Sequence, residues 1–247
     1  MPNIARIRGV RWALALSALL VCACSTASIL STPSPITWVQ VWSDEFDGAA
    51  GARIDDTKWS YQTADGCKEG ICGWGNNEKE YYTDASENIA LNGQGQLVIV
   101  ARSAPAGLTC YYGPCRYTSG KVTTRGKMLA QPGRVEARIK LPAGQGLWPA
   151  FWMLGHAHDL ASGALSDDFH TFAVEWDSLF VRFFVDNALH YEIARDAVER
   201  FGKSVLDQPY FVILNLAVGG HFDGDPQSDA IFPATMLVDY VRVYVRQ

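Results

Sequence analysis

Positive charge is scarce in this 247-residue chain, where 21 Lys and Arg face 26 Asp and Glu. Arg6, Arg8 and Arg11 belong to the first 23 residues, so the chain beyond them carries 18 basic against 26 acidic residues, a net −8. That balance disfavours nucleic acid and anionic membrane surfaces as partners and leaves neutral ligands such as sugars open. Long hydrophobic runs are missing too. The apolar stretch Trp12 to Val21 is well short of the roughly 20 residues of a spanning helix, and with its three preceding arginines it reads as an export signal over residues 1–23. From Trp38 to Lys127 no segment has a sustained helical period, which turns attention to strands.

What is present is alternation. Trp38 to Phe46, Leu97 to Ala101, Arg134 to Leu141, Asp168 to Trp176 and Met236 to Tyr244 read as strands, separated by Gly- and Pro-rich turns. Asn88 to Leu91 and Leu97 to Ala101 form one hairpin, and Asp186-Asn187, a pair that tolerates positive φ, turns another. Leu147 to Leu154 is apolar enough for a strand covered on both faces, with one of its two tryptophans buried and the other lining a groove. Ala194 to Lys203 forms a short helix or a loop, and Tyr210 to Gly220 is a buried strand. Many short strands with few helices predict an all-β fold, a two-sheet β-sandwich or jelly roll, as a single domain over 38–247. Residues 24–37, rich in Ser, Thr and Pro, read as a tether. Cys67 and Cys72, and Cys110 and Cys115, stand five apart with Gly between them, so local bridges are expected, a cross-link between the two loops being the alternative. An oxidising compartment argues against thiolate metal binding.

Several motifs resemble glycoside hydrolase family 16, the bacterial laminarinase and β-glucanase type. They are Trp42-Ser-Asp-Glu-Phe46, Asp55-Asp-Thr-Lys-Trp59, Gly73-Trp-Gly-Asn-Asn-Glu78, Thr118-Ser-Gly-Lys-Val-Thr123, Gly133 to Gly155 and Phe169-His-Thr-Phe-Ala-Val-Glu-Trp176. The likeness covers nearly all of the chain from Val41 to Tyr244. It implies a concanavalin-like jelly roll with a glycan cleft across its concave sheet, and β-1,3 or mixed β-1,3/1,4 glucan as partner. Trp74, Asn77, Glu78, Trp148 and Asn215 would line the cleft, with Trp148 stacked on a sugar ring. For Trp74, Asn77 and Glu78 the alternative is turn chemistry and packing; for Asn215, a bond to the neighbouring strand. The family's structural calcium would fall on Glu45, the Gly93 carbonyl and Asp239, or those side chains make surface hydrogen bonds. Val21-Cys-Ala-Cys24-Ser resembles a bacterial lipobox, implying lipidation at Cys24 and an envelope-bound monomer, with plain secretion as the alternative.

One expected motif is absent. Members of the family carry Glu-x-Asp-x-(x)-Glu on the strand that follows the Trp-Pro-Ala-Phe-Trp segment. Here Gly155 runs straight into His156-Ala-His-Asp159, and the likeness resumes only at Asp168, as though a few dozen residues had been deleted near 155–156. A retaining glycosidase needs two carboxyl groups about 5–5.5 Å apart. Glu175 and Asp177 share a strand face but fall in the ordinary Glu-Trp segment and lack the third acid, while Asp44-Glu45 and Asp167-Asp168 are adjacent and point to opposite faces. His156-Ala-His158-Asp159 has no further ligand cluster and reads as loop. No catalytic residue is therefore assigned. The expectation is a β-glucan-directed chain that is impaired or inactive as a hydrolase, the alternatives being a lectin-like lipoprotein or a defective product.

Overall fold

The computed structural model describes residues 36–153, 165–200 and 206–247. The leader, Cys24, the tether up to Pro35 and His156 to Asp159 lie outside the described residues. In chain order the strands are β1 (Trp38–Asp44), β2 (Ser60–Tyr61), β3 (Glu80–Tyr82), β4 (Ile89–Leu91), β5 (Leu97–Ser103), β6 (Thr109–Cys110), β7 (Gly113–Pro114), β8 (Tyr117–Ser119), β9 (Lys121–Thr123), β10 (Gly133–Lys140), β11 (Leu147–Trp152), β12 (His170–Trp176), β13 (Phe180–Val185), β14 (Ala188–Ala194), β15 (Ile213–Val218) and β16 (Ala234–Arg246). Among the described residues one short α-helix, α1 (Arg195–Glu199), follows β14. The turn between β13 and β14 has Asp186 at φ 50° and Asn187 at φ 64°, the left-handed pair a two-residue hairpin requires.

Two sheets make the sandwich of a jelly roll. The larger has ten strands and runs β14-β13-β12-β10-β16-β5-β8-β3, with β1 added to β16 and β4 to β5. The smaller has four, in the order β11-β15-β9-β2. Between them lies the core: Leu97, Ile99, Val135, Ala137, Ile139, Val241 and Val243 from the large sheet meet Val122, Leu214, Leu216 and Val218 from the small one. Gly133 opens β10 because a Cβ there would run into the Tyr244 carbonyl of the adjacent strand. The entry motif also has a structural cause. Trp59, 1% exposed, donates its indole N–H to Asp44 (2.8 Å), anchoring the loop after β1 to the core.

The sheets do not match in width. At the centre of the large sheet the inward residues are sealed, whereas Phe172, Val174, Val181, Phe183 and Val185 on β12 and β13 are only half-buried. Tyr191, which faces Phe183 across the hairpin, is 38% exposed. The small sheet ends at β11 among the described residues, so it stops short of these strands. This corrects the expectation for Leu147 to Leu154. Leu147 and Phe151 face the core, but Trp148 and Trp152 sit half-buried on the opposite face, and neither is sealed.

A second correction concerns β10, where alternation predicts a half-buried strand. Arg134 and Glu136 are instead buried on the outer face of the large sheet. The Arg134 guanidinium bonds Glu136 (2.8 Å) and Glu175 (2.7 Å), and Tyr244 donates to Glu136 (3.1 Å). Cross-strand neighbours make the burial of charge tolerable, because each ion has a partner. Glu175 is thereby committed to Arg134, and Asp177 accepts the N–H groups of Leu179 (2.7 Å) and Phe180 (2.9 Å). This pair is structural. Replacing Arg134 by Met would strand two carboxylates, and chemical denaturation should read a loss of about 3–5 kcal/mol.

Candidate functional site

The outer face of the small sheet gathers most of the residues the motifs single out. Alternation along β11 puts Trp148, Ala150 and Trp152 on that face, opposite Ala217, Asn215 and Ile213 of β15. Lys121 and Thr123 of β9 continue the row beyond Asn215 and Ile213. The loop before β3 closes over one end: Lys79 donates its N–H to the Val218 carbonyl (2.8 Å), and Glu80 accepts the Val218 N–H (2.7 Å). The loop is held in shape by a Cys67–Cys72 disulfide, and Cys110–Cys115 closes the neighbouring β6-β7 hairpin.

Asn215 is the hub. Its Oδ1 accepts the Trp152 indole N–H (2.8 Å) and its Nδ2 donates to the Tyr82 hydroxyl (3.0 Å). The amide expected either to meet sugar or to bond its neighbours does the latter, and it fixes the orientation of two aromatic rings. Trp74, at φ 51°, lays its ring 5.7 Å from that of Tyr82. Asn77, at φ 62°, is exposed and accepts the Tyr111 hydroxyl (2.6 Å). Trp148 stands apart from this cluster, roughly 13 Å along β11 from Trp152 at about 3.3 Å per residue. One of its faces is already covered by Phe222, whose ring stacks at 4.6 Å, so a sugar ring meets either the other face or exposed Phe222 itself.

Glu78 and Glu80 are the only acids in this cluster among its named members. Both are buried, Glu80 completely. Burial, and then the negative charge of Glu78, pushes the Glu80 carboxyl well above its ordinary range. Burial also raises Glu78, opposed by a hydrogen bond with Glu80, the Lys121 charge and hydrogen bonds from Asn76 and Tyr82. Lys121, which motif reading passes over, lies between Trp74, Tyr82 and Trp152 with its ammonium over their rings. Its place on an alternating strand, opposite Asn215, is the signal that could have found it.

The calcium reading does not fit this arrangement. Both Glu45 oxygens are taken by Arg242 (3.0 and 2.8 Å), and Asp239 is bonded to Arg138 (2.8 Å). No group of three or more acidic, His or Cys side chains that could hold a metal occurs among the described residues. A cation needs carboxylates that are not already neutralised by guanidinium.

The upward shift of Glu80 is testable. A raised carboxyl contributes stability below its unfolded value near 4.5, and that stability is lost as pH rises through the folded one. Glu80→Gln keeps an acceptor for Val218 and a donor for Glu78. Thermal unfolding should find it as stable as wild type at pH 5 and more stable at pH 8. Glu80→Ala, which leaves the Val218 N–H unsatisfied, should lose about 1–3 kcal/mol at both.

No protein-family model matches the chain. It is 35% identical to a β-glucanase of Rhodothermus marinus over 287 aligned positions, covering 95% of this chain and 94% of that protein. Because 95% of 247 residues is about 235, roughly fifty of those positions have no counterpart here. The laminarinase catalytic domain of Thermotoga maritima superposes with a TM-score of 0.75 at 36% identity, covering 85% of this chain and 99% of that one. The endo-β-1,3-glucanase of Pyrococcus furiosus gives a TM-score of 0.76 at 35% identity, covering 85% and 95%. With this likeness added to the two-sheet fold and the motifs on it, the chain belongs to glycoside hydrolase family 16, as a laminarinase-type member.

Proposed function

We propose that the chain binds β-1,3-glucan, or mixed β-1,3/1,4-glucan, on the outer face of the small sheet and, with this sequence, does not hydrolyse it. The observation that carries the reading is that, among the described residues, the small sheet ends at β11 beside a wider large sheet. The family's catalytic acids belong on a strand after the Trp-Pro-Ala-Phe-Trp segment, and the roughly fifty unmatched positions of the R. marinus relative agree in size with a lost stretch of that kind. The acids that remain are poor substitutes. Glu175 and Asp177 are occupied on the large sheet, and Glu80 is sealed beneath the face with its carboxyl on the Val218 N–H.

Binding cannot replace the lost groups. Equal affinity for substrate and transition state gives no acceleration of the chemical step. Losing general acid catalysis alone forfeits about 10²–10⁴-fold, and the covalent route is lost with it. The glucan surface would comprise Trp74, Asn77, Trp148, Phe222 and the rings oriented by Asn215. Export fits the two disulfides, which persist in oxidising compartments, and we place the protein in the cell envelope as a monomer held through Cys24.

Purified chain with a β-rich circular dichroism spectrum should be retarded in a native gel containing laminarin and should release no reducing ends from laminarin or lichenan. Reducing ends that vanish in Glu175→Gln or Asp177→Asn would assign the chemistry to β12 and its following turn. Reducing ends indifferent to both would place the acids elsewhere. A chain that neither binds nor cuts would identify a defective product.

A further inference from the structure

The hydrogen-bond phase of β15 fixes which backbone groups of β11 are left over. Thr124 donates its N–H to the Val212 carbonyl (3.0 Å) and Leu216 donates to that of Gly120 (3.4 Å), so even-numbered residues of β15 bond β9. Odd-numbered residues bond β11, and Gly219 donates to the Gly146 carbonyl (2.8 Å) in the same phase. By the register, Trp148, Ala150 and Trp152 exchange bonds with Ala217, Asn215 and Ile213. The backbone groups of Leu147, Pro149 and Phe151 then point away from β15, to a side on which no described strand lies. Pro149 suits that side, because its missing N–H removes no ladder bond there. The Leu147 N–H turns back to the Gly144 carbonyl (3.4 Å). Left over are the carbonyls of Leu147, Pro149 and Phe151 and the Phe151 N–H.

Beside this edge the large sheet offers an apolar floor. Phe172, Val174 and Val181 lie at the margin of the core with Phe151, and Phe183 and Val185 lie half-buried beyond it. No charged side chain interrupts these inward positions on β12 and β13. We propose that the open edge of β11 and the overhanging inner faces of β12 and β13 together accept an extended β-strand from another polypeptide, with apolar residues at alternate positions. The edge calls for a strand, since only extended backbone matches carbonyls that recur every second residue. The floor calls for alternation, since every second side chain of that strand turns toward Phe183. A second copy of this chain does not fit. Pairing β11 with its two-fold mate would drive the β12–β14 overhang of one protomer into the layer filled by the large sheet of the other. The step admits one strand and excludes a second sandwich. The proposal shares the open edge of β11 with the glucan-binding reading and is independent of what the outer face binds.

The probe is a labelled synthetic peptide, Lys-Thr-Val-Thr-Phe-Thr-Val-Thr-Lys, titrated into the full-length chain and read by fluorescence anisotropy. Neighbours in the small sheet are all antiparallel, and in that pairing the residues that face the floor also turn their N–H groups to β11. N-methylation of Val, Phe and Val should therefore weaken binding about tenfold or more, whereas N-methylation of the intervening Thr residues should leave it unchanged. Bound peptide should slow exchange of the Phe151 amide about tenfold or more and leave Ile213 to Val218 as they were. Phe183→Asp, checked for fold by near-UV circular dichroism, should weaken binding about tenfold. Leu189→Asp, at an exposed position of β14, should not. Binding indifferent to the position of the methyl groups would show apolar adhesion and overturn strand pairing. A Phe151 amide already protected in the free chain would mean that the chain covers its own edge. Protection that grows with protein concentration, together with a dimer in sedimentation, would assign the edge to a second copy. A peptide that does not bind would overturn the acceptor, while retention by laminarin stays as it was.

Discussion

A sandwich is stable only where each sheet covers the apolar face of the other, and the rest of this molecule depends on how far that holds. Over β5, β10 and β16 it holds fully, and Val135, Ile139, Leu97 and Val241 are sealed against β15 and β9. Over β12 to β14 it holds in part, and inward Phe and Val side chains remain half-buried. Each such side chain forgoes part of the roughly 1.5–3 kcal/mol that full burial of a large apolar group supplies. The ten-stranded sheet must therefore draw more of its cohesion from the cross-strand ladder on its other face, where Arg134, Glu136 and Glu175 are interlocked.

The functional face is built by the same economy of partners. Asn215 satisfies its amide with Trp152 and Tyr82, Glu80 satisfies the last amide of β15, and Glu78 balances Lys121. These bonds turn a strand-and-loop junction into an array of oriented rings around one ammonium. Aromatic faces and donors that are short of acceptors suit a polyhydroxylated ligand.

Much of this was legible in the sequence, for identifiable reasons. Period-two alternation located β10, β12 and β16, because one face of each packs on the core, and Asp186-Asn187 gave the hairpin because few residues accept positive φ twice. Other features were hidden by tertiary pairing. Charged Arg134 and Glu136 read as solvent-facing, since only the register with Glu175 and Tyr244 reveals their partners. Trp148 read as a free platform, since Phe222 is far along the chain. Glu45 and Asp239 read equally as metal ligands or as surface hydrogen-bonding groups, and only the fold brings Arg242 and Arg138 onto them. Lys121 sat inside a recognised motif, but its meaning needed three rings from three separate segments.

The central claim is that β11, the edge of the small sheet among the described residues, is the last strand of the functional face. Amide hydrogen exchange reads this directly, because a strand bonded on one side only leaves every other N–H free. Within Leu147 to Trp152, alternate amides should exchange rapidly at pH 7, while those of Ile213 to Val218, bonded on both sides, should exchange only with global unfolding. Uniform protection of β11 at the level of β15 would mean that another strand covers that edge, and would contradict the account.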